Sequence, residues 1–109
     1  MKEFCKFESA LDILVGKWKP VILLQLISNG TMRFGELEKA IPDINKRMLT
    51  QQLKELAYND IVHREVYNQI PPKVEYSISE YGKGLSTVLQ ALNDWGVAHM
   101  AHMDALYKK

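Results

Sequence analysis

Four side chains stand out for the chemistry their types and spacing allow. Arg47, Thr50, Gln51 and Lys54 recur at three- and four-residue steps, which places them on one side of a helix. The opposite side of the same stretch carries Leu49, Leu53, Leu56 and Ala57, an apolar stripe suited to a core. A face offering guanidinium, hydroxyl, amide and ammonium groups is equipped for a DNA major groove. Arginine can bind guanine edges, glutamine adenine edges, and threonine and lysine can reach bases or phosphates. Between Asn45 and Lys54 there are three cations, Lys46, Arg47 and Lys54, and no acid, whereas Glu36, Glu38 and Asp43 precede the stretch. Such a patch can follow a phosphate backbone even on a chain of net charge +1. These residues alone also fit the solvated side of an ordinary core helix, and both readings stand at this point.

Other chemistry has weaker support. Cys5 is the one cysteine, so no disulfide framework can form within the chain. No His/Cys cluster has zinc-ligand spacing, no glycine-rich loop cradles phosphate, and no Ser/His/Asp set emerges from spacing. The expectation is a protein without enzymatic activity, metal or cofactor. His99 and His102 share one helix face, but two imidazoles with no third ligand in the spacing read better as polar residues in an interface. Cys5 keeps two readings. It is a small packing residue, or a reactive thiol whose thiolate is favoured by the flanking Lys2 and Lys6.

The elements that must position these groups can be read along the chain. A length of 109 residues suits a single domain. No apolar run approaches the roughly 20 residues of a membrane span, and the N-terminus lacks a signal-peptide pattern, so the expected location is cytoplasmic. Apolar residues at Phe7, Ala10, Leu11 and Leu14 predict a helix over 7–15, closed by Gly16. A second helix over 19–28 tolerates Pro20 in its first turn and has almost no polar face, which places it at the centre. Asn29-Gly30 ends it. Helices over 34–40 and 46–58 follow, separated by Pro42-Asp43 and with Asn45 as the N-cap of the second. Beyond Asn59-Asp60 the period changes to alternation, predicting strands over 61–67 and 74–78. Pro71-Pro72 stiffens the loop between them, with Arg64 and Lys73 flanking it. Ser79 caps a last helix from about 80 to 107. The order is that of a winged helix-turn-helix: α+β, mostly helical, with a two-stranded wing. In the last helix Leu85, Val88, Leu92, Trp95, His99, His102 and Leu106 form a heptad-like seam that a small domain cannot cover alone. A homodimer is therefore expected.

Over almost its full length the chain resembles the HxlR-type winged-helix regulators. Gly16-Lys17-Trp18 and Arg33-Phe34-Gly35-Glu36-Leu37 are similar to two family signatures, and Met48 to Leu56 looks like the recognition helix. Pro71 to Ser79, followed by Gly82, resembles the wing and the entry to the last helix; Trp95-Gly96 also fits. Cys5 lies about where many members carry a cysteine. Val15 stands where members often have a second glycine, and Asn59-Asp60 where they have Asp-Gly.

The resemblance decides the Arg47 face in favour of DNA. It implies a bacterial transcriptional regulator that binds a palindromic operator as a homodimer, with a helix-turn-helix over about 34–58 and a wing over about 61–78. Dimerisation elements are expected over about 4–15 and 80–107. Arg47, Thr50 and Gln51 would contact or approach bases, and Lys46, Lys54, Arg64 and Lys73 would bind phosphate, with Asn45 as the cap. Leu85, Val88, Leu92, Trp95 and His99 would form the dimer interface. Cys5 would sense oxidants or electrophiles, with an oxidant or small molecule as effector. The competing class is a winged-helix protein–protein module with no DNA role, for which a face poor in cations and amides would be expected.

Overall fold

The computed structural model describes residues 2–14 and 16–108, the first four of these by backbone alone. Among the described residues five helices and three strands run in the order α1 (Lys2–Leu14), α2 (Trp18–Asn29), β1 (Met32–Arg33), α3 (Phe34–Ala40), α4 (Lys46–Tyr58), β2 (Val62–Tyr67), β3 (Lys73–Ile78) and α5 (Lys83–Tyr107).

The core forms around α2. Its nearly all-apolar sequence sends Ile22, Leu23 and Leu26 inward, where they meet Leu37 of α3 and Leu49, Leu53 and Leu56 of α4. Each of these leucines is at most 2% exposed. Burial of such a side chain is worth about 1.5–3 kcal/mol. The expected stripe along α4 is thus the side that holds the helix down, and its opposite side is left to solvent.

Local signals set the ends of the elements. Gly30 closes α2 at φ +74°, in the left-handed region that glycine enters without steric cost. Asn45 Oδ1 accepts the Met48 N–H at 2.7 Å and starts α4. At the other end of α4, Asp60 takes φ +61°, as the Asn59-Asp60 turn requires. The Ile61 N–H bonds to the Leu56 carbonyl and the Asp60 N–H to the Ala57 carbonyl, both at 3.0 Å. That is a Schellman closure, with buried Ile61 returning onto buried Leu56.

The sheet has three antiparallel strands in the order β1-β3-β2, one more than the expected two-stranded wing. Met32 and Arg33 pair with Tyr76 and Glu75. Two residues carry no period, so nothing in their sequence announces a strand; the buried Met32 anchors it instead.

The last helix begins later than expected, at Lys83 rather than near Glu80. The reason lies in Ser79. Its hydroxyl accepts the Gly82 N–H at 2.8 Å and donates to the Asp60 carbonyl at 2.6 Å. It therefore caps a turn over 79–82, and α5 starts only after that turn. The helix then runs for 25 residues, about 37 Å at 1.5 Å per residue. Only Leu89 on it is buried. From Gln90 to Lys108 every residue is exposed except Gly96, which is half-buried. The Cα radius of gyration, 16.2 Å, exceeds the roughly 13 Å of a compact chain this long, because this helix projects beyond the core. No described helix is long and apolar enough to cross a membrane.

Candidate nucleic-acid interface

α4 presents Lys46, Arg47, Thr50, Gln51 and Lys54 to solvent, all exposed. Among the described residues Lys46, Arg47, Lys54 and Arg64 take no acidic partner. Their charges are therefore available to an external anion. The Thr50 hydroxyl donates to the Lys46 carbonyl at 2.8 Å, back-bonding within the helix. With its proton engaged, Thr50 offers its methyl group and an acceptor oxygen outward, a surface suited to a thymine methyl.

Strand register then decides which wing residues join this face. Directly opposed residues share one face of a sheet, and faces alternate along each strand. Val62, Arg64 and Val66 oppose Ile78, Tyr76 and Val74, so Arg64 lies on the side that faces α4. A groove lined by Thr50, Leu53, Lys54, Ala57, Arg64 and Tyr76 runs between helix and sheet. The structure thus brings Arg64 to Thr50 and Lys54 of α4 across this groove.

Lys73 is placed differently. It opposes Tyr67, one face removed from Arg64. Its ammonium lies 3.3 Å from Glu75 Oε2 and 4.7 Å from the centroid of the Tyr67 ring. Burial pushes the Glu75 carboxyl upward, but the Tyr67 hydroxyl, Lys73 and the Arg33 charge outweigh it and hold it below the ordinary value. The Tyr67 phenol is raised in turn by its hydrogen bond to Glu75. Lys73 is therefore engaged within the wing, and any phosphate would compete with an ionised Glu75. Arg64→Ala should weaken DNA binding clearly, whereas Lys73→Ala should change it little. Paired fluorescence-anisotropy titrations check this, and equal losses for the two variants would contradict the division of faces.

Sequence reading missed one part of the site. Lys19, at the start of α2, places its ammonium 2.5 Å from Glu55 Oε1 and 3.0 Å from Gln52 Oε1 of α4. Glu55 Oε2 in turn accepts the Gln51 amide at 2.7 Å. The hydrogen bond from Lys19, then that from Gln51, keeps the Glu55 carboxyl below its ordinary range and so ionised. The partners lie 36 residues apart, and no local pattern could have linked them.

The remaining expected residues lie elsewhere. Leu85 is half-buried and packs against the chain's own core. Val88, Leu92 and Trp95 are 44%, 51% and 65% exposed. With Met100 and Leu106 they leave much of α5 apolar and uncovered. His99 is exposed and stacks on Trp95, ring centroids 4.7 Å apart. Phe7 on α1 is also exposed. Among the described residues no three His, Cys, Asp or Glu side chains gather as a metal site. Cys5 falls in α1, and its side chain lies outside the described residues, as does Val15.

The chain is similar to known proteins over most of its length. The chain is 48% identical over 104 residues to the uncharacterized HTH-type transcriptional regulator YdeP of Bacillus subtilis, covering 95% of this chain and 80% of that protein. Its fold matches the redox regulator HypR in its reduced form with a TM-score of 0.86 at 42% identity, covering 92% and 98% of the two chains. It matches the reduced form of the regulator YodB from B. subtilis at 0.74 and 40% identity, covering 83% and 87%. YdeP and YodB are named as transcriptional regulators and HypR as a redox regulator, rather than as enzymes. The profile of the HxlR-like helix-turn-helix family spans residues 13–104, and the chain belongs to that family.

Proposed function

We propose that this protein is a cytoplasmic bacterial transcriptional regulator that binds a palindromic operator as a homodimer. The observation that carries the reading is the solvent-facing surface of α4, where Arg47, Thr50, Gln51 and Lys54 stand exposed and Arg64 lies across the groove from Thr50 and Lys54. In a helix-turn-helix the second helix enters the major groove with its N-terminal residues nearest the bases. Arg47, Thr50 and Gln51 read or approach base edges. Lys46, Lys54 and Arg64 bind phosphate and set the register, Lys73 is at most a peripheral phosphate contact, and Asn45 holds the helix start.

The exposed apolar residues of α5, with Phe7 of α1, are covered by a second copy of the chain. Val88, Leu92, Trp95 and His99 form the seam, and Leu85 lies at its inner edge. Two-fold symmetry in the protein then calls for two-fold symmetry in the operator.

Operator titrations with single variants test the DNA face. Arg47→Ala should cost about 1–3 kcal/mol and relax preference at particular base positions. Lys54→Ala should weaken all sequences alike and lower the salt slope by about one. If neither variant altered affinity, α4 would not be the reading helix.

Cys5 is the regulatory thiol in this reading. HypR is described as a redox regulator with oxidised and reduced forms, and Lys2 and Lys6 lie close to Cys5 in the sequence, the kind of basic neighbours found near reactive cysteines. With one cysteine per chain, a disulfide must join two subunits or capture a small thiol. Cys5→Ser should bind DNA as the wild type does but ignore diamide or a quinone that releases the wild type. Identical responses of the two proteins would reduce Cys5 to a packing residue.

A further inference from the structure

A glutamine amide can read DNA in two opposite ways. Its carbonyl outward accepts from a base amino group; its NH2 outward donates to guanine N7 and O6 or thymine O4. What fixes the choice for Gln51 is visible in its neighbours. The Gln51 amide lies 2.7 Å from Glu55 Oε2. An ionised carboxylate only accepts hydrogen bonds, so the group turned towards it must be the Gln51 NH2. Glu55 is itself not free to turn away. Its other oxygen is 2.5 Å from the Lys19 ammonium, on a side chain only 13% exposed that also donates to Gln52 at 3.0 Å. Lysine donates and never accepts. The polarity of the chain Lys19 to Glu55 to Gln51 is therefore set at its part-buried Lys19 end, and it leaves the Gln51 carbonyl facing outward.

We propose that Glu55, anchored by Lys19, is a positioning residue that fixes Gln51 as a hydrogen-bond acceptor and so selects adenine at one operator position. Adenine is the base that fits best. Its N6 amino group donates to the outward carbonyl, and the second Gln51 amide hydrogen can reach N7. Guanine presents two acceptors there and meets the carbonyl unfavourably. This inference rests on the proposed reading that α4 enters the major groove.

The test is selection of duplexes from a random pool by the purified full chain and its variants. Gln51→Ala locates the position that Gln51 reads. There the wild type should favour adenine over guanine by roughly tenfold or more, the worth of a good bidentate pair. Glu55→Ala releases the amide, and the preference should flatten at that position while the others persist, which also shows that the variant is folded. Glu55→Gln makes a sharper prediction. Lys19 should hold the oxygen of the introduced amide, whose NH2 then turns the Gln51 carbonyl inward and its NH2 outward. The preferred base should change from adenine to guanine or thymine, an inversion that loss of a merely structural contact would not produce. A Gln51-dependent position that is indifferent to both Glu55 variants overturns this proposal alone. A wild-type motif with no Gln51-dependent position overturns it together with the base-reading role of Gln51.

Discussion

Leu92→Glu should leave the chain folded but monomeric, with operator affinity lower by roughly 10²–10⁴-fold, the range by which linking two binding modules raises avidity. Leu92 is 51% exposed, so no core contact is lost. The change instead places a carboxylate within a stripe where Val88 and Trp95 are also uncovered. In a two-fold interface each substitution appears twice, and burying two carboxylates without partners costs several kcal/mol. The helix itself should persist, because glutamate is a good helix former. Sedimentation at micromolar concentration, beside an operator titration, reads both effects. A variant that sediments with the wild type as a dimer would place the interface elsewhere.

Gly82→Ala should destabilise the fold by about 3 kcal/mol, at the upper end of ordinary overpacking. A Cβ at position 82 would lie 2.3 Å from the Ile61 carbonyl oxygen and 3.1 Å from Ser79 Oγ. The obstacle is backbone and cannot swing aside. That carbonyl also accepts the Ser79 N–H at 2.9 Å, while the Ile61 N–H closes α4 on Leu56. The end of α4, the start of β2 and the entry to α5 therefore meet at this point, and moving one strains all three. At about 4–8 °C per kcal/mol for a domain near this size, the melting temperature should fall by more than roughly 10 °C. Gly84→Ala, whose Cβ would meet nothing within 4 Å, is the control and should melt at or above the wild type. A Gly82→Ala protein melting beside that control would contradict the close approach.

What could be read from the sequence was what local chemistry dictates. The bounds of α3 and α4 coincide with the expected ones because Pro42 and Asn45 act on their immediate neighbours. The core leucines of α4 followed from helical spacing. Arg64 was grouped with the α4 residues in the sequence reading through its charge, but strand alternation is what turns it towards α4 and sends Lys73 to the other side. The fates of Lys73 and Gln51 depend on Glu75 and Glu55, acids whose relevance appears only when strands pair and α2 crosses α4. The delayed start of α5 has a similar origin. Ser79 was expected to cap a helix, but its hydroxyl also bonds the Asp60 carbonyl, 19 residues away, and that tertiary contact holds it in a turn.

The claim that a two-fold dimer reads DNA through α4 is tested most directly by sequencing the duplexes that the wild-type chain selects from a random pool. An enriched inverted repeat is expected, its half-site centres one helical turn or a multiple of it apart, about 10–10.5 base pairs per turn. The most constrained positions should lose their constraint in Arg47→Ala and Gln51→Ala. A pool with no enriched sequence, or an asymmetric motif unchanged by those two substitutions, would contradict the account.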